Sequence, residues 1–207
     1  MNVLVVAPHP DDESIGCGGT LRLHADRGDR VEVVFLTSGE LGLPKLEPDA
    51  ARKVREAEAE EAAILLGVTR LTFLRHSDWF VGDATDAVVA DLCGVFERDP
   101  PERVLFPHAA EEHPDHRAAA AVVLDVTQQL GAKPSLAAYE VWTPMTRFDD
   151  VSDISDVMAT KLDAVRTYRS QFSTFRYDDA VEGLNRFRGA LAARCAYAEV
   201  FQEFWEA

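Results

Sequence analysis

Two short segments of this 207-residue chain carry side chains suited to binding a metal ion. Positions 7–13 read Ala-Pro-His-Pro-Asp-Asp-Glu, and positions 113–116 read His-Pro-Asp-His. A catalytic zinc ion takes three imidazole or carboxylate ligands from the protein and leaves its fourth position to water. Taken singly, each motif could also be a polar strand end or the acidic first turn of a helix.

The spacing within the motifs predicts which side chains bind the ion. His9 and Asp12 are three residues apart, so one turn of chain can direct both at a common point. His116 supplies the third ligand from the other motif. Asp11 lies between two ligands and must point elsewhere, which leaves it free to act as the general base on a bound water.

His113 and Asp115 are predicted to support the reaction without holding the ion. The prolines that follow His9 and His113 favour extended conformations for both histidines, at the ends of strand-like segments. His113 can then face the same cavity and stabilise an oxyanion, which it would do best as a cation. Asp115 is expected to orient the His113 ring.

The elements that must position these motifs follow from the hydrophobic pattern. Short apolar runs alternate with amphipathic segments, which predicts the α/β class: a Rossmann-like, mostly parallel sheet with helices on both faces. The predicted strands are Val3–Ala7, Val31–Leu36, Leu71–Leu74, Val104–Phe106 and Leu136–Trp142. The predicted helices are one within Gly18–Asp26, then Ala50–Leu66, Thr85–Phe96 and Asp115–Leu130, with a loop at Thr37–Asp49.

The two motifs follow the first and fourth predicted strands. In a doubly wound sheet of strand order 3-2-1-4-5 these strands are neighbours, and ligands bind at their carboxyl ends. We therefore expect the two motifs to meet in space.

The last third of the chain has a different pattern. We expect an edge strand at Asp149–Ile154 and helices at Ser155–Gln171 and Glu182–Trp205. Aromatic residues at helical spacing predict core packing, with a subunit contact as the alternative: Tyr197, Phe201, Phe204 and Trp205. The whole chain, 1–207, is predicted to form a single domain in which 143–207 complete a core built by 1–142.

Composition excludes several classes of partner. The formal net charge of −15 repels phosphate backbones and anionic membrane surfaces, so neither nucleic acid nor membrane is an expected partner. The three cysteines are widely spaced and suggest reduced thiols.

With no leader segment at its start, the chain is expected to be cytoplasmic. A dinucleotide site at positions 16–19 is disfavoured because Leu21 stands where the third glycine belongs, so close packing is the preferred interpretation.

Several motifs resemble those of the PIG-L/LmbE-like family of zinc-dependent N-acetyl-sugar deacetylases. The resemblance covers nearly the whole chain, in the family's order and spacing. It rests on Ala7–Glu13, Leu36–Gly42, Arg55–Val68, His113–His116, Tyr139–Pro144 and Lys161–Gln171. It implies an enzyme that releases acetate from an N-acetylglucosamine-type conjugate, with Zn²⁺ or another divalent cation. Family members often form homo-oligomers, so a homo-oligomer is possible.

The resemblance also implies roles for individual residues. It assigns zinc binding to His9, Asp12 and His116, the general base to Asp11, the electrophile to His113 and its tuning to Asp115. It assigns substrate contacts to Arg55, Asp78 and Glu40. Each has an alternative interpretation: Arg55 could be a solvated partner of Glu58 or Glu61, Asp78 could be a loop cap, and Glu40 could be a surface acid.

One departure from the family pattern is Glu111, which stands where some members have a mobile tyrosine. A carboxylate cannot donate a hydrogen bond to an oxyanion unless it is protonated. Specificity is expected to lie in loops 37–49 and 76–83. Two alternative functions remain open: hydrolysis of another small amide or ester, and a non-catalytic member that binds a sugar.

Overall fold

A computed structural model of the chain describes residues 1–172 and 175–204. It contains seven strands: β1 Asn2–Ala7, β2 Arg30–Thr37, β3 Arg70–His76, β4 Arg103–Pro107, β5 Ser135–Tyr139, β6 Asp150–Asp153 and β7 Ala198–Phe204. Its α-helices are α1 Asp12–Asp26, α2 Pro48–Leu66, α3 Thr85–Arg98, α4 Pro114–Leu130, α5 Met158–Thr167 and α6 Tyr177–Arg188. Together they form a single α/β domain.

The strands form one sheet in the order β3-β2-β1-β4-β5-β7-β6. The first five are parallel, whereas β7 pairs antiparallel with both β5 and β6. The predicted order 3-2-1-4-5 is therefore confirmed, and β1 and β4 are neighbours at the point where the winding reverses.

Alternate residues of β1 serve two hydrophobic layers. Val3 and Val5 belong to a core shared with α1, α2 and α5, while Leu4 and Val6 belong to a core shared with α3 and α4. Since both faces are covered by helices, the strand is apolar throughout, as expected of a buried parallel strand. These two layers hold the carboxyl ends of β1 and β4 in place.

Most predicted elements of the parallel region agree with the structure. Helix α1 differs in where it begins. It begins at Asp12, directly after the first motif, rather than within Gly18–Asp26. The backbone at Cys17 departs from helical angles inside it. Close packing explains Gly16, because a Cβ there would lie 2.2 Å from the Tyr139 ring. The packing interpretation of these glycines is therefore confirmed.

The predicted helix Glu182–Trp205 is wrong. Helix α6 ends at Arg188, a short π-helical turn follows at Gly189–Ala193, and Ala198–Phe204 is the strand β7. Phe201 and Phe204 belong to different core layers, on opposite faces of the sheet, because side chains alternate along a strand. Trp205 lies outside the described residues.

The predicted helix Ser155–Gln171 is shorter than expected. A 3₁₀ turn covers Ser155–Val157, and α5 extends only from Met158 to Thr167. Within the described part of the chain, every helix is too short or too polar to cross a membrane.

Candidate metal centre

The two motifs lie together at the carboxyl ends of β1 and β4. His9 follows β1 and leads into α1, and His113 is the N-cap residue of α4, with Pro114 in the first turn. The ring centroids of His9 and His113 are 4.7 Å apart, and those of His9 and His116 are 5.4 Å apart. The expected meeting of the two motifs is confirmed.

One oxygen of Asp12 lies between two imidazoles. Asp12 Oδ2 is 3.1 Å from Nδ1 of His9 and 3.3 Å from Nε2 of His116. Two ligands held about 2.0–2.1 Å from a tetrahedral zinc ion are themselves about 3.3 Å apart. The two distances from Asp12 Oδ2 are thus close to that spacing, and all three residues are buried.

Two overlapping sets of side chains have potential ligand atoms within 4.8 Å of one another: His9 with His113 and His116, and His9 with Asp78 and Asp115. In the second set, both carboxylates already accept backbone hydrogen bonds. In the first, Nδ1 of His113 accepts one. The predicted ligand Asp12 belongs to neither set, and its Oδ2 also accepts the backbone N–H of His9 over 2.9 Å. The ligand set His9, Asp12 and His116 therefore stays a prediction.

His9 is held from its other side by two buried carboxylates. Its Nε2 lies 3.1 Å from Asp115 Oδ2 and 3.2 Å from Asp78 Oδ1. A carboxylate behind a ligating histidine fixes the orientation and tautomer of the ring. The Asp115 carboxylate also accepts the N–H groups of Trp79 and Val81. The structure thus differs from the expectation that this carboxylate orients His113.

The backbone N–H of Asp115 is the group that orients His113. It donates to His113 Nδ1 over 3.2 Å, so the hydrogen of a neutral ring resides on Nε2. Burial, together with the nearby His9 and His116 rings, lowers the pKa of His113 to about 4. This direction favours a neutral His113 ring that donates from Nε2, in contrast to the expected cation.

Glu111 lies behind His116. Its Oε2 is 3.5 Å from His116 Nδ1, and its carboxylate accepts the N–H groups of Val141, Trp142 and Thr143. Although burial opposes the charged form, contacts with His108 and His116 and these N–H groups lower the pKa of Glu111 to about 2. The lowered pKa favours an ionised Glu111, which has no proton to donate, and its carboxylate faces His116 without a hydrogen bond to the Nδ1 atom.

Asp11 has a strained backbone and is braced from two sides. Its φ of 116° is uncommon for a residue with a side chain. Its N–H donates to Glu13, whose carboxylate accepts the Tyr168 hydroxyl over 2.6 Å. On the other side, Arg55 Nη2 lies 3.1 Å from Asp11 Oδ2. Chiefly through burial, the pKa of Asp11 is raised to about 7.

The three expected substrate contacts have different environments. Arg55 is buried, donates to Gly39 and Pro10 carbonyls as well as to Asp11, and lines the cavity, so it is not a solvated helix residue. Asp78 lines the cavity and also accepts the N–H of Leu41, as a loop cap would. Glu40 accepts the N–H of Asp78 from the neighbouring loop and does not line the cavity.

The cavity above this cluster has a volume of about 220 Å³ and an aromatic mouth. Trp79 and Trp142 are each about half exposed and lie 4.4 and 5.8 Å from the His113 ring. Tyr177 and Phe175 also line it. Sequence reasoning assigned no role to these aromatic residues, although Trp142 falls in a quoted motif and Trp79 in a loop expected to carry specificity.

These features define a class: an α/β protein with a candidate metal centre of histidines and carboxylates at the switch point of its sheet. The family model described as PIG-L, GlcNAc-PI de-N-acetylase, matches residues 4–127, more than half of the chain. The chain belongs to the PIG-L family.

Relatives of known name agree with this assignment. The chain is 31% identical over 191 residues to diacetylchitobiose deacetylase of Thermococcus kodakarensis, covering 82% of this chain and 70% of the relative. It is 29% identical over 189 residues to a probable N-acetyl-alpha-D-glucosaminyl L-malate deacetylase 2 of Bacillus cereus, covering 82% of this chain and 83% of the relative.

Among solved structures, the chain is similar to N,N'-diacetylchitobiose deacetylase from Pyrococcus horikoshii, with a TM-score of 0.86 and 28% identity over 98% of this chain and 83% of that one. It is also similar to GalB, the 4-carboxy-2-hydroxymuconate hydratase of Pseudomonas putida, with a TM-score of 0.82 and 25% identity over 100% and 97% of the two chains. One fold therefore carries two reactions, so the function must be argued from the site.

Proposed function

We propose that this chain is a zinc-dependent hydrolase that removes the acetyl group from an N-acetylglucosamine-type sugar conjugate, releasing acetate and a free amine. The observation that carries this proposal is the buried cluster of His9, Asp12, His113 and His116. Asp12 Oδ2 lies 3.1 Å from His9 Nδ1 and 3.3 Å from His116 Nε2, and the three histidines have potential ligand atoms within 4.8 Å of one another. His113 and the proposed base Asp11 line the same cavity. The matched family and the named deacetylases support the reaction class.

The donor set fits a zinc ion. Two imidazoles and one carboxylate are usual ligands of catalytic zinc, although other divalent cations accept the same donors. Buried carboxylates are stable when paired or when they bind a metal, and Asp12 is nearly inaccessible. When bound, the ion would supply Lewis acidity that polarises the amide carbonyl and makes water more acidic.

Asp11 is the proposed proton carrier. A carboxyl group with a pKa of about 7 is present in both protonation states at neutral pH. It can therefore take a proton from the attacking water and return one to the departing amine. The contact with Arg55 and the hydrogen bond to Glu13 hold Asp11 in position.

His113 is the proposed oxyanion partner. As a neutral ring with hydrogen on Nε2, it can donate to the oxygen of the tetrahedral intermediate without first needing a proton. Arg55 and Asp78 line the cavity and are proposed to contact the sugar. Glu40 is proposed to act on the sugar only through its hydrogen bond to the Asp78 backbone.

Acetate release tests this function. Purified protein is incubated with a panel of N-acetylated glycosides, as isolated, after treatment with a chelator, and after addition of zinc or another divalent ion. We expect acetate release that the chelator abolishes and zinc restores. Release only from other amides or esters would favour the second hydrolase function, and sugar binding without any release would favour a non-catalytic member.

A further inference from the structure

A second cavity lies beside the candidate metal centre and has a volume of about 370 Å³. It lies between α1, the segment after β5, and α6. Much of its lining is apolar and includes Ile15, Val141, Pro144, Ala180, Val181 and Leu184. Cavities of this size and composition are typical of small-molecule sites.

This cavity adjoins the proposed active site and shares a wall with it. Trp142, Phe175 and Tyr177 line both cavities. The Trp142 ring lies 5.9 Å from that of Phe175 and 5.8 Å from that of His113. A group attached to a sugar in the metal cavity therefore has an apolar space within reach, separated only by aromatic side chains.

The charges around the second cavity indicate what it can accept. Arg176 is the one basic residue among its described lining, and it forms an ion pair of 2.9 Å with Asp179. The Glu140 carboxylate is bound to Arg188, and that of Glu199 to Lys161. Each of these three charged groups of the lining already has an ion-pair partner, so an anionic group placed here would have to compete with Asp179 for Arg176. Burying an unpaired charge is costly.

We propose that this second cavity is a subsite for an uncharged, apolar aglycone, such as an aryl ring, on the N-acetylated amino sugar. The proposal rests on the proposed function. The apolar lining supplies the affinity, and the adjoining aromatic rings suit offset or edge-on contact with an aryl group. Sugars with carboxylated aglycones should gain nothing from this space, because its one described basic lining residue, Arg176, is already paired with Asp179.

Three probes and one cavity-filling variant test the subsite. The probes are N-acetylglucosamine, its phenyl glycoside and its 4-carboxyphenyl glycoside. We expect the phenyl glycoside to exceed N-acetylglucosamine in kcat/KM by about 10-fold or more, and the carboxyphenyl glycoside to show no such gain. In Ala180→Phe, which places a ring at a lining position, the ratio of kcat/KM for the phenyl glycoside to that for N-acetylglucosamine should fall to about one.

The matched control is Ala90→Phe, the same change at an exposed alanine of α3 on the other face of the sheet. It should retain the full preference for the phenyl glycoside. Equal kcat/KM for phenyl glycoside and N-acetylglucosamine in the wild type would overturn the proposal. A preference that survives in Ala180→Phe, or an advantage for the carboxyphenyl glycoside, would also do so.

Failure of the proposed function would look different. In that case no probe releases acetate from the zinc-loaded protein, and calorimetric binding of the phenyl glycoside replaces turnover as the readout. Tighter binding of the phenyl than of the carboxyphenyl glycoside, weakened by Ala180→Phe but not by Ala90→Phe, would still support the subsite. Equal binding across probes and variants would reject it.

Discussion

The two sides of the candidate site come from different regions of the chain and supply different kinds of group. The parallel region, up to β5, contributes the imidazoles and carboxylates that follow β1 and β4. The region after β5 contributes aromatic walls and the brace from Tyr168 to Glu13. The groups proposed to perform the chemistry thus come from two short motifs after β1 and β4, whereas the Tyr168 brace comes from the region after β5.

This difference predicts different consequences of mutation. Changes in the parallel region should affect the reaction while leaving the fold intact. Changes behind the site, in the antiparallel region, should affect stability or the precision with which a catalytic group is held. Four substitutions test that contrast.

The largest effect is expected at Asp11. Asp11→Asn removes the proposed base, so kcat should fall by about 10²–10⁴-fold while metal content stays near that of the wild type. Steady-state acetate release and metal analysis of the purified protein check this. The matched control is Asp26→Asn at the exposed end of α1. A near wild-type rate in Asp11→Asn would show that Asp11 is not the base. It would also contradict the expectation that changes in the parallel region affect the reaction.

The next effect concerns stability in the antiparallel region. Lys161 and Glu199 form a fully buried ion pair of 2.6 Å that joins α5 to β7. Lys161→Met leaves the Glu199 charge without its partner, so the free energy of unfolding should fall by about 3–5 kcal/mol. Urea denaturation measures it. The control Arg169→Ala breaks the exposed pair with Glu61 and should cost at most about 1 kcal/mol.

Lys161→Met would contradict this account if it cost no more than Arg169→Ala. The Glu199 carboxylate also accepts the N–H groups of Gly19 and Thr20. These hydrogen bonds would then be sufficient to stabilise the buried carboxylate. The contrast between a buried and an exposed pair would no longer apply to this protein.

Substitution of Glu111 tests whether a carboxylate that faces a proposed ligand in the parallel region affects metal affinity. Glu111→Gln replaces the carboxylate behind His116, so metal affinity should fall by about 10–100-fold. Zinc titration against a competing chelator measures this. The control Glu112→Gln changes an exposed neighbour and should leave metal affinity unaltered. Equal affinity in both variants would show that Glu111 only ties down the segment after β5.

The smallest effect is expected at Tyr168, through which the antiparallel region contacts Glu13 and so supports Asp11. Tyr168→Phe removes the hydrogen bond to Glu13, worth about 0.5–1.5 kcal/mol, so kcat should fall by about 10-fold or less. Metal content and KM should not change, because the brace acts on Asp11. A change in KM or metal content with kcat preserved would assign Tyr168 a different role.

The sequence predicted the parallel part of the fold well and the antiparallel part poorly. Strands β1 to β5 are short apolar runs bounded by turns, which the local pattern identifies. Their order follows from the βαβ connections. By contrast, Phe201 and Phe204 are three residues apart, a spacing that suits a helix and conceals a strand. Only pairing with β5 and β6 makes this segment extended, and that pairing depends on residues far away in the chain.

The candidate site divides in the same way. The two motifs could be placed together from their positions after β1 and β4. The partners of each group could not, because no local pattern indicates that Asp115 faces His9 or that Glu111 faces His116. These contacts depend on ring rotations and loop paths, which small differences in packing decide.

By itself, then, the sequence determined the types of candidate ligand, their spacing and the edge of the sheet where the two motifs meet, because these depend on local periodicity and on the general geometry of parallel sheets. The tertiary structure alone decided which ring nitrogen faces Asp12, which carboxylate holds each histidine and which aromatic side chains form the mouth. His9 and Asp115 are 106 residues apart, and only the folded chain brings them within 3.1 Å.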